Sequence, residues 1–208
     1  RFLVKMGARV SYYIPERQSE GYGLNLEALE HIISDGASLV ITVDCGISSY
    51  DIVEAVCDRI DIIITDHHTA PPQIPPARAV INHKQPDCPY TDKNLSGVGV
   101  AFKLCQALWL RQCGEWYLDD LDIVALGTVA DVVPLVGENR IIVQAGLKKM
   151  NELPNLGIDK LIDVAGLHDK TITAGHIGFT LAPRLNAAGR VTHATRAVEL
   201  LVTDDVDL

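Results

Sequence analysis

Two short apolar runs constrain this chain more than any other feature. Ser38–Asp44 (SLVITVD) and Asp61–Thr65 (DIIIT) are dominated by β-branched residues and show no alternation of polar and apolar positions. Strands apolar on both faces belong to parallel sheets covered on both sides. Between the runs, Ser48–Asp58 reads as a helix capped by a serine, so strand, helix and strand follow one another as a parallel crossover requires. Val10–Ile14, ending at Pro15, predicts a further strand, and Ala79–Asn82 one more short strand. Leu26, Leu29, Ile32 and Ile33 recur at helical spacing over Leu26–Ser34, with Asn25 as the N-cap.

The pattern changes after a loop rich in Pro, Asp, Asn and Lys over Thr69–Leu95. Helices are predicted at Gly97–Gln112, Leu118–Val133, Asn139–Asn151, Ile158–Ala165, Ala174–Leu181 and near Ala194–Val202. The expected fold is therefore α/β: a parallel sheet with flanking helices and site-bearing loops over 1–95, then a mainly helical part over 96–208. The opening Arg1–Gly7 reads as the last turn of a helix closing at glycine, which leads us to expect that the domain starts upstream of Arg1.

Composition narrows the function. The 208 residues are 48% hydrophobic but only 5% aromatic, so the core should be built of Val, Ile, Leu and Ala. The five cysteines are odd in number and form no C-x-x-C pair, which fits neither a disulfide framework nor a zinc ribbon and points to a reducing cytoplasm. The most apolar segment, Ile123–Val136, is broken by Asp131 and Pro134 and falls short of the roughly 20 residues that cross a membrane. A net charge of −9 argues against a protein that coats a duplex. Carboxylates that hold divalent ions count as negative until the metal binds, which weakens that objection.

The chemistry-bearing residues stand at strand ends. Asp66-His67-His68 follows DIIIT directly, and Asp44 closes SLVITVD. In open parallel sheets, ligands bind outside the carboxyl ends of the strands. Aspartate and histidine together suit Mn²⁺ or Mg²⁺. The alternatives are an N-cap or loop role for Asp44 and a solvated turn for the triplet. Asp131, within the apolar Ala125–Leu135, is costly to bury unless it is paired or binds metal; otherwise it faces solvent or a backbone amide. Basic residues gather late, at Arg184, Arg190, His193 and Arg196, with Lys148 and Lys149 earlier. In Pro183–Arg190 the small residues Ala187-Ala188-Gly189 suggest a turn that a phosphate can approach, beside guanidinium groups able to grip it. A helix-capping or interdomain ion pair is the competing reading for Arg190. The glycines of Ser96–Val100 suggest close packing near the metal crevice rather than a phosphate loop, and His31, His83, His168 and His176 suggest surface or capping roles.

ITVDCGIS, IIITDHH, LSGVGVAFKL, ALGTVADVVPL and APRLNAAGR occur in this order, and together they resemble the RecJ family of the DHH phosphoesterase superfamily over essentially the whole chain. The DHH triplet alone would reach only the superfamily, which includes pyrophosphatases and oligonucleotide phosphodiesterases. VADVVPL and PRLNAAGR narrow it. The resemblance implies two divalent ions, Mn²⁺ or else Mg²⁺. Asp44 would bridge them, His67 and Asp131 would complete one site, His68 would face the scissile phosphate, and Asp66 would orient the histidines. Arg190, aided by Arg184, would recognise a 5′ phosphate. The implied activity is 5′-to-3′ degradation of single-stranded DNA to 5′ mononucleotides in repair and recombination, with single-strand-binding protein or a helicase as partner. Rival readings are another DHH hydrolase, acting on oligonucleotides, cyclic dinucleotides or pyrophosphate, and a non-catalytic single-strand-binding module. One departure stands out: nothing before Asp44 matches the family's earlier aspartate-rich motif, and Asp35-Gly36 is only a helix-end turn. That motif is expected upstream of Arg1, a glycine-rich nucleic-acid-binding domain downstream, and poor activity from these residues alone.

Overall fold

The computed structural model describes residues 1–15, 23–191 and 194–205, with the backbone alone at 188–191. Its helices are α1 (Phe2–Lys5), α2 (Leu26–Ser34), α3 (Tyr50–Glu54), α4 (Gly97–Cys113), α5 (Leu121–Ala130), α6 (Gly137–Glu152), α7 (Leu156–Val164), α8 (Ala174–His176), α9 (Ala182–Val191) and α10 (Thr195–Val202), with a π-helical turn at Ile177–Leu181. The strands are β1 (Leu39–Val43), β2 (Asp61–Thr65) and β3 (Ala79–Ile81). The chain divides into two compact units, Pro15–Leu104 and Arg1–Ile14 with Cys105–Leu208.

In the first unit the strands form a parallel sheet in the order β1-β2-β3, with Val40 opposite Ile62, Thr42 opposite Ile64, and Ile64 opposite Val80. Alternation sends Ile62 and Ile64 to one face, where they pack with Leu29 of α2 and with Val53, Val56 and Ile60. On the other face Thr65 is buried, while Leu39 and Val43 of β1 are exposed. The N-cap assignment holds, since Asn25 Oδ1 accepts from Ala28 N–H at 2.7 Å. The helix expected over Ser48–Asp58 is shorter, and Ser49 at its N-cap makes no side-chain cap bond. Beyond Glu54 the chain continues in turns that still bury Val56 and Ile60, so apolar spacing reported burial rather than helix length.

In the second unit, Leu126, Met150, Ile158, Leu161, Ile177 and Leu181 form the core. Phe2 of α1 packs edge-on against Tyr117 with ring centroids 4.8 Å apart, and the helix ends at Gly7 with φ 84°. Val10–Ile14 is not a strand. Its β propensity needs a pairing partner, and none of the described strands pairs with it. No helix among the described residues is long and apolar enough to cross a membrane.

Candidate metal centre

The site grows from the carboxyl ends of β1 and β2. Asp44 N–H still donates to Thr65 O at 2.9 Å, one step beyond the strand. Its backbone then turns left-handed, φ 62°, a conformation that aspartate tolerates better than most side chains. The Asp44 side chain is left half-exposed at 53%. Gly97, the first residue of α4, makes room for it: a Cβ there would stand 2.2 Å from Asp44 Oδ1. Ser96 is buried and accepts from Gly99 N–H at 3.1 Å, which fixes the start of the helix. The glycines of SGVGV thus serve close packing beside the site.

Asp66 organises the loop after β2. Its carboxylate is 1% exposed. Oδ1 accepts from His67 N–H at 2.7 Å, His68 N–H at 3.1 Å and the His68 ring Nδ1 at 2.7 Å, while Oδ2 accepts from Ile47 N–H at 3.0 Å. Burial pushes the carboxyl's pKa up, but the bonds from Ile47, the His68 ring and the amides of His68 and His67 outweigh it, so the net direction is down. Because Ile47 lies in the loop after β1, this one buried group ties the two strand-end loops together. Nearby, burial, together with the charges of Asp66 and Asp44, pushes the Cys45 thiol up to about 11.

The His67 tautomer follows from its partners. Nδ1 lies 3.2 Å from Leu95 O, which can only accept, so Nδ1 carries hydrogen. Nε2 then meets Asp44 Oδ1 at 3.1 Å. A nitrogen lone pair and a carboxylate oxygen at this distance require a shared cation, either a proton or a metal ion. Two ligands at right angles on an ion with bonds of about 2.1 Å stand about 3 Å apart, so the observed edge fits a divalent metal. The His68 ring stands edge-on to His67, with centroids 4.6 Å apart, and its Nδ1 is held by Asp66, which leaves Nε2 as its outward nitrogen. Asp44, His67 and His68 each offer a ligand atom, all within 4.8 Å of one another.

The structure brings together Asp44, Asp66, His67 and His68. Asp131 belongs to the other unit, where it is the exposed C-cap of α5 rather than a residue inside an apolar helix. Arg184, on α9, donates from Nη1 to Thr180 O at 2.9 Å. Arg190 lies on the same helix, its side chain outside the described residues, as is His193. The turn expected at Ala187-Ala188-Gly189 is helical, because alanine is the strongest helix former and outweighs a single glycine. His83 also departs from expectation: it is 5% exposed rather than on the surface, and burial pushes its pKa down. His31 and His168 are exposed, and His176 closes a capping box with Thr173.

Two contributors escaped the sequence, Leu95 and Asn82, while the close packing expected of the Ser96–Val100 glycines is seen at Gly97. Leu95 acts through its carbonyl. Asn82 is buried after β3 and donates from Nδ2 to His68 O at 2.9 Å, while its Oδ1 accepts from Lys84 N–H at 2.7 Å. A polar residue directly after a short strand was the only available hint of that role.

Comparison with known proteins shows the family. Residues 1–128 match the family model described as the DHH family, N-terminal domain. The single-stranded-DNA-specific exonuclease RecJ of Bacillus subtilis is 45% identical over 204 residues, which are 98% of this chain and 25% of that protein. The Escherichia coli exonuclease of the same name is 41% identical over 213 residues, covering 96% of this chain and 37% of its own. The chain thus spans well under half the length of these relatives. A crystal structure of exonuclease RecJ bound to manganese superposes with a TM-score of 0.89 at 35% identity, over 99% of this chain and 52% of that one. The Thermus thermophilus RecJ in complex with Mn²⁺ gives 0.82 at 34% identity, over 99% and 29%.

Proposed function

This chain belongs to the DHH family, and on that premise we propose that it forms the metal-binding part of a 5′-to-3′ exonuclease that degrades single-stranded DNA to 5′ mononucleotides in repair and recombination. The observation that carries the reading is the Asp44–His67 pair, with Nε2 and Oδ1 3.1 Å apart and His67 Nδ1 held by Leu95 O. When bound, two divalent ions, Mn²⁺ or Mg²⁺, supply Lewis acidity that compensates charge on the attacking and leaving oxygens of a phosphodiester.

The residues have distinct tasks. Asp44 offers two oxygens and would hold both ions, and His67 would present Nε2 to one of them. The motif ALGTVADVVPL assigns Asp131 as a further ligand, an assignment that rests on the resemblance. His68 directs Nε2 outward, toward the scissile phosphate. Asp66 would act from behind the ligands: it accepts from the backbone amides of His67 and His68 and holds hydrogen on His68 Nδ1. Arg184 and Arg190 hold the 5′ phosphate. We place the protein in the cytoplasm, on single strands released by a helicase or held by single-strand-binding protein.

The test is full-length protein with Mn²⁺ on 5′- and 3′-labelled single strands. Label released at once as mononucleotide from the 5′ end, a ladder of shortening products from the 3′-labelled strand, and loss of both with chelator are expected. Turnover confined to short oligonucleotides, cyclic dinucleotides or pyrophosphate would move the protein to another DHH activity. Strand binding without hydrolysis in any divalent metal would make it a non-catalytic module.

A further inference from the structure

The π-helical turn Ile177–Leu181 presents one side chain in an unusual way. Ala182 N–H reaches back five residues to Ile177 O, and the widened turn buries Ile177 and Leu181 completely. Phe179, between them, is 89% exposed. A hydrated phenyl ring forgoes the gain of burial, and single π-helical turns are rare and concentrate at functional sites.

The neighbours of the ring point to a ligand. The turn packs on the last turn of α5, since a Cβ on Gly178 would lie 3.6 Å from Val129 Cγ1. Two residues beyond Val129 stands Asp131, the carboxylate proposed above as a metal ligand. Val132 follows it, 87% exposed and held at φ 59°, a left-handed conformation costly for a β-branched residue and characteristic of strained functional segments. Arg184, one turn further along the chain, is exposed and donates from Nη1 to the carbonyl of Thr180, the residue after Phe179. An open aromatic face, with a tethered cation in the same helical segment and a proposed metal-ligand carboxylate on the helix it packs against, is the combination that single-stranded nucleic acid uses: bases stack on rings while cations follow the backbone.

We infer that Phe179 is a stacking platform for one nucleobase of the bound strand, with Arg184 against the adjoining phosphate. The inference rests on the single-strand reading above.

It is tested in the full-length protein by fluorescence anisotropy, with chelator present to prevent cleavage, on strands carrying 2-aminopurine at successive positions from the 5′ end. Wild type should quench the probe at one position. Phe179→Ala should abolish that quench and raise Kd roughly five- to 150-fold, the range for one stacked base. Phe179→Leu, which keeps apolar bulk without a π face, should also lose the quench, and Phe179→Trp should retain both quench and affinity. A strand abasic at that position should bind wild type and Phe179→Ala alike. An unchanged quench and Kd in Phe179→Ala would overturn the assignment. So would a Tm lowered by several degrees at unchanged Kd, which would make the ring part of the protein's own packing. Failure of wild type to bind single strands would sink the single-strand reading, and this inference with it.

Discussion

A methyl group on Gly97 would stand 2.2 Å from Asp44 Oδ1 and 2.5 Å from its Cγ. The side chain absent from α4 therefore shapes the site as much as the carboxylate present on the β1 loop. Gly97→Ala should displace Asp44 and weaken Mn²⁺ binding about 10- to 100-fold, the range for losing support behind a metal ligand. A Cβ on Gly99 would meet the Ser96 hydroxyl at 3.1 Å and Leu95 Cδ2 at 3.5 Å, the second an ordinary van der Waals contact, so Gly99→Ala should change affinity little. Calorimetric titration of both variants decides the point; equal affinities would remove the steric role.

Asp44→Ala should reduce nuclease activity by orders of magnitude, whereas His31→Ala should leave it near wild type. A bridging carboxylate screens two cations from each other. His31 only pairs on the surface of α2 with Asp35, at 3.2 Å, a contact of about 0–1 kcal/mol. Comparable activities in two folded variants would end the bridging assignment.

Asp66→Asn should destabilise the fold by about 2–4 kcal/mol, because a buried acceptor of four hydrogen bonds loses charge and half its acceptor oxygens. The sign with pH is set by its depressed pKa. Folded Asp66 titrates below its ordinary 3.8, so its stabilisation is complete above about pH 4 and is lost as pH falls through the folded value. Urea melts of wild type and variant should diverge at neutral pH and converge in acid. A gap that widens in acid would contradict this account.

Gly146→Ala should be the most damaging small substitution between α5 and α6. Its Cβ would lie 2.3 Å from both Ala125 Cβ and the Leu121 carbonyl oxygen, and helix backbone cannot move aside cheaply. A loss of about 1–3 kcal/mol is expected, visible as a lower urea midpoint at unchanged slope.

Arg190→Ala should lower kcat/KM on 5′-phosphorylated strands by about 1.5–3 kcal/mol, roughly tenfold to a hundredfold, and much less on 5′-hydroxyl strands. Arg190→Lys should recover only part, since ammonium lacks the planar fork that matches phosphate oxygens. Equal losses on the two ends would reassign Arg190 to the fold or to the scissile phosphate.

Local physics is written along the chain, and that much was legible. The β-branched runs of β1 and β2, the Asn25 cap and the closing turn at Gly7 depend on residues a few positions apart. Placing Asp44 and Asp66-His67-His68 at strand ends needed only the knowledge that both strands were parallel neighbours. Where a local signal lacked its partner it misled: Val10–Ile14 had strand propensity without a strand to pair with, and Ala187-Ala188-Gly189 resembled a turn although alanine carried α9 through it.

What the sequence by itself determined is which side chains could do chemistry and that a parallel sheet would carry four of them on adjacent loops. Only the tertiary structure decided which nitrogen of His67 keeps its hydrogen, through the Leu95 carbonyl 28 positions away, and where Asp44 finds room, through a glycine at the head of a later helix. A hydrogen-bond partner and an absent methyl group act through space. Neither leaves a mark at the residue it controls: the glycines of Ser96–Val100 announced close packing near the crevice, but which side chain fills the space, and which carbonyl meets His67, appear only once the chain is folded.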